Sequence, residues 1–374
     1  MDQGSNLSRR YELDWLRVFA ILILLLFHTG RIFDMKEWHI KNNELSDNFI
    51  YWMPFLQSWR MPLLLFISGA GSYFALGKLT ALQFFFQRFK RLVIPFLFAL
   101  VVIIPPQPYY EHITAFANYW DFYKSVLDFI PIYEGRIHLY HIWFIAYLFV
   151  YTLMAFPVLL FLRSPTSDVF KDGILRYFYN PVLLLLIPPA CILITQLILL
   201  PEYVGRAFFV YYLCFFLLGI IFYSNRRHTE RIGKNRKYLL AGAVLVLIPY
   251  VVNYITDDTI YISDTLTLAS ILERGVVFVG WFWVITLIAF GQHYLNRPHP
   301  WLATMTEGIY ALFILHQTAI VVIGYYICKL PWGITTKFWT INILTLSFCV
   351  AFYLLGILPF NTMRLVFGMK PKPR

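Results

Sequence analysis

Of the 374 residues, 59% are hydrophobic and only 14% are charged, whereas a soluble domain carries about 25% charged residues. This composition excludes a water-soluble globular protein and makes the lipid bilayer the main solvent of the chain. The net charge of +11 does not indicate nucleic-acid binding, because no basic soluble module is present. Lys and Arg retained in cytoplasmic loops give a membrane protein the same excess.

Apolar segments follow one another along the whole chain. A bilayer-spanning helix needs about 20 mainly apolar residues. Segments that meet this rule are 15–33, 51–76, 91–108, 140–162, 181–200, 207–224, 238–256, 268–291, 305–327 and 338–358. The first is too long for the core of a signal peptide and lacks a small-residue cleavage site, so we expect it to remain as the first anchor. The eighth is the least regular, because Glu273 and Arg274 lie near its start. The predicted fold is an all-α, polytopic transmembrane helix bundle of about ten spans.

The loops between these segments predict how the bundle is oriented. With a cytoplasmic N-terminus, twenty Lys and Arg residues fall in cytoplasmic loops and tails and seven fall outside, as the positive-inside rule requires. The seven are Lys36, Lys41, Lys124, Arg136, Arg206, Lys329 and Lys337. We therefore expect one integral-membrane domain, 1–374, in the inner (plasma) membrane, with cytoplasmic tails of about 1–12 and 361–374. A homo-oligomer is compatible with such a bundle.

The first apolar segment carries ionisable side chains, which are costly in a bilayer and usually functional. Arg17 and His28 are eleven residues apart, so they share one helix face and lie about 16 Å apart along the axis. Asp14, one turn before Arg17, can hold its guanidinium. This geometry favours a long ligand that is anionic at its cytoplasmic end, such as a coenzyme A thioester. A neutral imidazole at His28 can take a proton from an attacking hydroxyl. In the alternative interpretation, His28 only hydrogen-bonds within the bundle and Arg17 reaches the lipid headgroups.

Two further histidines are candidates for the same site. His316 lies near the middle of the ninth predicted span, where it could meet His28, orient the acceptor or stabilise an oxyanion; a structural hydrogen bond is the alternative. The predicted catalytic set is His28, His316 and Asp14. His141 lies at the outer end of the fourth span, where an interfacial anchor is the alternative to a role in substrate binding.

Other polar residues lie at the ends of the spans. Arg88, Lys90 and Arg91 precede the third span and could bind donor phosphates; a purely topogenic cluster is the alternative. On the predicted outer side, Arg60 and Glu111 are candidates for substrate binding. Glu111 lies in an aromatic loop, about 109–139, that could bind carbohydrate or form a solvated cap. The segment Ser68-Gly69-Ala70-Gly71 favours close helix packing rather than a nucleophile. The four cysteines lie in or beside apolar runs without metal-ligand spacing, so we expect core packing and no metal.

Taken together in order, these motifs resemble those of the bacterial integral-membrane acyltransferases of acyltransferase family 3. The resemblance rests on Arg17 and His28 as an Arg-x10-His motif and on Arg88 and Arg91 as an Arg-x-x-Arg motif. Supporting segments are 13–17, 60–69, 91–96, 141–144 and 310–317. The resemblance implies a ten-helix bundle and transfer of an acyl group, succinyl or acetyl, from cytoplasmic acyl-CoA to an extracytoplasmic glycan such as a periplasmic glucan. It implies a catalytic role for His28 and CoA binding by Arg17, Arg88 and Arg91. Acyl-CoA would be a co-substrate, with no permanently bound cofactor.

Two other classes of function remain at this stage. A secondary transporter or exporter of an anionic metabolite could use the histidines as a proton relay, although the paired halves that many transporters show are not evident. A scaffold or lipid-binding protein would not need Arg17 and His28 on one face. Consumption of acyl-CoA with release of free thiol distinguishes the acyltransferase from both.

Overall fold

The computed structural model describes residues 9–127, 139–178, 180–198, 204–225, 232–256 and 275–372. Helices make up 81% of the structure, and the described ranges contain no strand, which confirms the all-α prediction. The predicted loop residues 128–138 and the start of the eighth span, 268–274, lie outside the described residues.

The helices follow the apolar segments in chain order. They are α1 (Tyr11–Gly30), α2 (Met53–Leu76), α3 (Ala81–Glu111), α4 (Tyr119–Leu127), α5 (Trp143–Met154), α6 (Phe156–Arg163), α7 (Asp168–Phe178), α8 (Pro181–Ile198), α9 (Val204–Tyr223), α10 (Arg236–Thr256), α11 (Val276–Tyr294), α12 (Leu302–Ile327), α13 (Ile334–Ile357) and α14 (Asn361–Val366). Turns of π-helix occur within α3 at Phe89–Val93 and Ala99–Ile103, and at the end of α13. Every predicted span overlaps one or two of these helices.

Five helices in the described ranges are long and apolar enough to cross a membrane: α1, α3, α11, α12 and α13. A sixth candidate is the pair Tyr140–Met154 and Phe156–Arg163, which is bent by 49°. Two shorter apolar helices span Pro181–Gln196 and Phe208–Tyr223. Membrane-spanning character is therefore confirmed, while the count of ten and the cytoplasmic termini stay predictions.

The chain divides into two compact units, which alternate along the sequence. Unit 1 comprises Met1–Ala20, Pro54–Phe84 and Val150–Leu302, and unit 2 comprises Ile21–Met53, Phe85–Phe149 and Ala303–Arg374. The division falls within α1, so Arg17 belongs to unit 1 and His28 to unit 2.

Unit 1 contains a close contact between α2 and α9, formed by two glycines. A Cβ atom added at Gly69 would lie 2.0 Å from the carbonyl oxygen of Phe216, and one added at Gly219 would lie 2.0 Å from that of Phe66. Only glycine allows the two backbones to approach this closely. Ser68 donates a hydrogen bond to the carbonyl of Leu64, 2.7 Å away, within its own helix. The predicted packing role of this segment is therefore confirmed.

Within unit 2, Lys41 orders the loop that follows α1. The Lys41 ammonium donates hydrogen bonds to the carbonyl oxygens of Arg31 (2.7 Å), Lys36 (2.9 Å) and Asp34, and to the Asp34 carboxylate (3.1 Å). This single cation gathers the carbonyl groups that follow the end of α1, where the helix dipole favours positive charge. Buried Lys337 holds the next part of the loop through Asn42, 2.9 Å away.

Candidate active site

Three imidazole rings that come from distant parts of the sequence meet in unit 2. His28 lies in the last turn of α1, His316 in the middle of α12, and His141 in the short turn Tyr140–Ile142 that leads into α5. The ring centroids of His28 and His316 are 5.3 Å apart, and those of His316 and His141 are 5.1 Å apart. His316 and His141 are buried and His28 is half-buried. His316 therefore contacts His28, which is one of the three possibilities that the sequence left open, and it also contacts His141.

Hydrogen bonds to carbonyl groups fix the tautomers of two of these rings. Nδ1 of His316 lies 2.6 Å from the carbonyl oxygen of Phe313, and Nε2 of His141 lies 3.0 Å from that of Ile314. A carbonyl oxygen only accepts, so each of these nitrogens carries a hydrogen. The neutral forms therefore keep lone pairs on His316 Nε2 and His141 Nδ1. The latter has no hydrogen-bond partner among the described residues. Both nitrogens are suited to accept a hydrogen bond from a hydroxyl.

A fourth histidine, His39, extends this cluster to Glu111 at the end of α3. Its Nδ1 lies 3.0 Å from the Glu111 carboxylate, and its Nε2 lies 2.9 Å from the amide nitrogen of Gln317. The carboxylate accepts and the amide nitrogen donates, so His39 carries its hydrogen on Nδ1. The His39 side chain is only 8% exposed, whereas Glu111 is 35% exposed.

The hydrogen-bond chain continues from Gln317 into the contact between α12 and α3. Gln317 donates to the side-chain oxygen of Gln107 (3.0 Å), and Gln107 donates to the Thr318 hydroxyl (2.7 Å). The hydroxyl in turn donates to the carbonyl oxygen of Ile103, 2.6 Å away. Because that carbonyl can only accept, the direction of every bond in the chain is determined. Gln107 and Gln317 are both buried, so the chain is shielded from water.

Aromatic rings connect His39 to the other histidines. Trp38 stacks on His28, with centroids 6.0 Å apart and planes inclined by 22°, and Tyr140 contacts the His39 ring at 4.7 Å. Tyr140 has a φ of 38°, a strained conformation for a bulky side chain that costs about 1–3 kcal/mol and clusters at functional sites. Tyr140 immediately precedes His141 in the sequence, so this strained residue contacts one histidine of the cluster and is bonded to another.

The predicted donor-binding cations also lie in unit 2, at the start of α3. Arg88 ends the first α-helical stretch, and Lys90 and Arg91 are exposed on the π-helical turn that follows. The carbonyl of Arg91 accepts a hydrogen bond from the Tyr310 hydroxyl (3.1 Å) on α12. Gly368, with a φ of 67°, packs against the same carbonyl, where a Cβ atom would lie 2.7 Å away. We call residues 88–91 the basic turn.

Helix α12 contacts both the basic turn and the histidine cluster. Tyr310 contacts the basic turn and His316 contacts His28. The two residues are six positions apart, which is about 9 Å along the helix. Any shift of α12 would therefore move both contacts together.

The remaining predicted site residues lie in unit 1. Arg17 contacts the Asp14 carboxylate at 3.5 Å, as predicted, but Arg9 approaches the same carboxylate more closely, at 2.8 Å. Asp14 is fourteen residues from His28, about 21 Å along α1, so it acts on the arginines and not on the imidazole. Arg60 is buried in α2. The structure thus brings His28, His316, His141 and Glu111 together, and leaves Asp14, Arg17 and Arg60 in the other unit.

Sequence reasoning missed four residues of this site, namely Trp38, His39, Gln107 and Gln317. His39 lies in a loop beyond the first apolar segment. A histidine outside the bilayer has no free-energy cost of burial in lipid, so its position did not indicate a functional role. Gln317 adjoins His316, and Gln107 lies within an apolar run. A polar amide in an apolar segment was therefore the signal available for these two residues.

Among the described residues, no three His, Cys, Asp or Glu side chains are arranged as ligands of a metal ion.

The acyltransferase resemblance implies a bundle of membrane-spanning helices with a catalytic role for His28. The chain matches the family model described as "Acyltransferase domain" over residues 10–358. It therefore belongs to this acyltransferase family and is a membrane acyltransferase.

Among curated proteins, the chain is similar to glucans biosynthesis protein C of Escherichia coli O139:H28 (strain E24377A / ETEC), with 23% identity over 86% of this chain and 84% of the relative. Glucans biosynthesis protein C of Escherichia coli O17:K52:H18 (strain UMN026 / ExPEC) is 24% identical over the same shares. No solved structure matches the chain.

Proposed function

We propose that this protein transfers an acyl group, succinyl or acetyl, from acyl-CoA at the cytoplasmic face to a hydroxyl of a glycan outside. The relatives named for glucan biosynthesis make a periplasmic glucan the first acceptor to test. The observation that carries the proposal is the histidine cluster of unit 2, in which half-buried His28 contacts buried His316, and His316 contacts buried His141.

In the proposed reaction, the acceptor hydroxyl attacks the thioester carbonyl. A carbon–oxygen bond forms, the carbon–sulfur bond breaks, and the hydroxyl proton passes to His28 and then to the departing thiolate. A sugar hydroxyl needs a base within hydrogen-bond reach, directly or through one water, and His28 is proposed as that base. In a second route, the imidazole of His28 takes the acyl group and passes it to the hydroxyl. Both routes yield an ester and free CoA thiol.

The tautomers of His316 and His141 suggest different roles for these two histidines. Neutral His316 presents a lone pair on Nε2, because its Nδ1 hydrogen is bonded to Phe313. We therefore assign it to orienting the acceptor hydroxyl or His28 rather than to stabilising an oxyanion, which needs a donor. His141 Nδ1 is assigned to a second hydroxyl of the acceptor.

For the donor, we propose that the basic turn binds the phosphates of acyl-CoA. Arg88, Lys90 and Arg91 carry three positive charges on one helical turn, and charge-assisted bonds to phosphate are strong. The family resemblance also implies donor binding by Arg17, which contacts Asp14 at 3.5 Å within unit 1. Buried Arg60 and half-exposed Glu111 remain proposed contributors to acceptor binding.

These roles require an inner-membrane location with both termini in the cytoplasm. Reporters fused after Arg226 and at the C-terminus should report the cytoplasm, and reporters at Asp121 and Asp257 should report the outside. A cytoplasmic signal at Asp257 would overturn this orientation.

Mass spectrometry of the cell's glycans tests the function directly. Cells with the protein should carry glycans heavier by one acyl group, and deletion should remove that mass. Complementation with the unaltered chain should restore it, and complementation with His28→Ala should not. Glycans that are identical with and without the protein would reject this acceptor class.

A further inference from the structure

We propose that His39 is a positioning residue of the acyl-transfer site, one that holds His28 and His316 in their reactive arrangement. This inference rests on the proposed function. It assigns a role to a loop histidine that neither of the two transfer routes uses.

The first argument is that His39 links directly to both neighbours of the reactive pair. Its chain neighbour Trp38 stacks on the His28 ring. Its Nε2 accepts a hydrogen bond from Gln317, the residue that follows His316. The loop dipeptide Trp38-His39 therefore contacts both the ring of His28 and the turn of α12 that carries His316.

The second argument is that the hydrogen bonds of His39 have a determined direction. The series of hydrogen bonds ends at two groups that only accept, the Glu111 carboxylate and the Ile103 carbonyl. No residue within this series can therefore reverse its own hydrogen bonds without its neighbours also changing. Among the described residues, His39 connects Glu111 to Gln317 through its two ring nitrogens. Loss of its ring would leave the buried amide of Gln317 with one hydrogen bond instead of two, which is costly in a protein interior.

The third argument excludes His39 as the base. Both of its ring nitrogens already have partners, Glu111 and Gln317. Accepting a substrate proton on Nε2 would require breaking the bond to a buried amide. His39 is therefore placed to hold the site rather than to react.

Paired substitutions at position 39 test this role. His39→Leu removes both hydrogen bonds, whereas His39→Gln retains an amide N–H for Glu111 and a carbonyl oxygen for Gln317. We expect His39→Leu to lower kcat by about 10–100-fold, because a displacement of about 1 Å at a reacting group has an effect of that order. The KM for acyl-CoA should stay unchanged, since the basic turn is not altered. His39→Gln should recover kcat to within about threefold of the unaltered protein.

The matched control is His112→Leu, which removes an exposed histidine next to Glu111 and should change neither constant. If His39→Leu does not fold, Glu111→Leu gives a second test at a more exposed position, and Glu111→Gln keeps an accepting oxygen as its conservative partner. Thermal unfolding of each variant separates loss of folding from loss of rate.

The outcomes are distinct. Turnover by the unaltered protein with an unchanged kcat in a folded His39→Leu would overturn the positioning role alone. An equal loss in His39→Gln and His39→Leu would show that the imidazole itself reacts, which also overturns it. Absence of acyl-CoA turnover in the unaltered protein would overturn the proposed function, and the positioning role with it.

Discussion

The contact between α2 and α9 and the contact between α3 and α12 join helices by opposite means. In the first, Gly69 and Gly219 let backbones touch, and no side chain lies between them. In the second, Gln107 and Gln317 hydrogen-bond to one another in a buried layer of side chains. Both contacts satisfy the requirement that helices in a bilayer associate without a hydrophobic driving force.

The difference separates packing from chemistry. A glycine contact leaves no polar atom to bind a ligand, so its role ends with the fold. The polar contact continues from Gln317 through His39 to the Glu111 carboxylate, and Gln317 adjoins His316, whose ring contacts His28. Buried polar groups are expensive in a membrane and are retained where they act. We therefore expect substitutions in the first contact to affect folding, and substitutions in the second to affect rate.

The largest effect should come from His28→Ala. Removal of a general base lowers the rate by about 10²–10⁴-fold, and the covalent route also requires this imidazole. The KM for acyl-CoA and the melting temperature should change little, because His28 is half-buried at a helix end. Steady-state release of thiol by the purified variant measures the loss. Near-normal turnover would reject both routes and move attention to His316.

Next in size is the paired change Arg88→Ala and Arg91→Ala. Loss of charge-assisted bonds to phosphate should raise the KM for acyl-CoA by about 10–100-fold, with a smaller effect on kcat. Lys78→Ala, at another exposed cation of the predicted cytoplasmic side, is the matched control and should leave KM unchanged. An unchanged KM in the double variant would return these arginines to a topogenic role.

Gly69→Ala should instead destabilise the protein. The added Cβ atom would meet a backbone carbonyl at 2.0 Å, so the helices must move apart, at a cost of about 1–3 kcal/mol. Gly173→Ala is the control, because nothing lies within 4 Å of that Cβ position and alanine favours a helix. Thermal unfolding in detergent should show a lower melting temperature for Gly69→Ala only. Equal melting temperatures for both variants would contradict the contact.

The smallest effect should come from Tyr310→Phe, which removes one hydrogen bond to the Arg91 carbonyl. A net loss of about 0.5–1.5 kcal/mol corresponds to at most about a 2–13-fold rise in the KM for acyl-CoA. Tyr326→Phe, which removes a hydroxyl contact with Tyr110 elsewhere in unit 2, should leave that KM unchanged. A changed kcat with unchanged KM in Tyr310→Phe would show that α12 transmits the effect to His316 instead.

The same contrast explains what the sequence could predict. Apolar length and small residues have local physical causes, so the helices and the packing of Ser68-Gly69 were predictable from neighbouring residues alone. An ionisable side chain in an apolar run also stands out, which is why His28 and His316 were found. The meeting of His28 with His316 was foreseen only as one of three roles, because it depends on how distant helices pack.

The loop contribution was not predictable in this way. His39 reaches the site because Lys41 folds the loop back over the end of α1, and no local pattern encodes that fold. Likewise Asp14 was grouped with the catalytic residues from helical spacing, which placed it correctly beside Arg17 but could not show that Arg9 takes the closer contact.

Reconstitution in proteoliposomes tests the central claim most directly. Purified protein would be supplied with acyl-labelled CoA at its cytoplasmic face and glucan at the opposite face, and both free thiol and glucan-bound label would be followed. We predict one thiol released for each acyl group that appears on the glucan, and neither product with His28→Ala. Passage of intact acyl-CoA across the membrane without thiol release would contradict the account and identify a transporter.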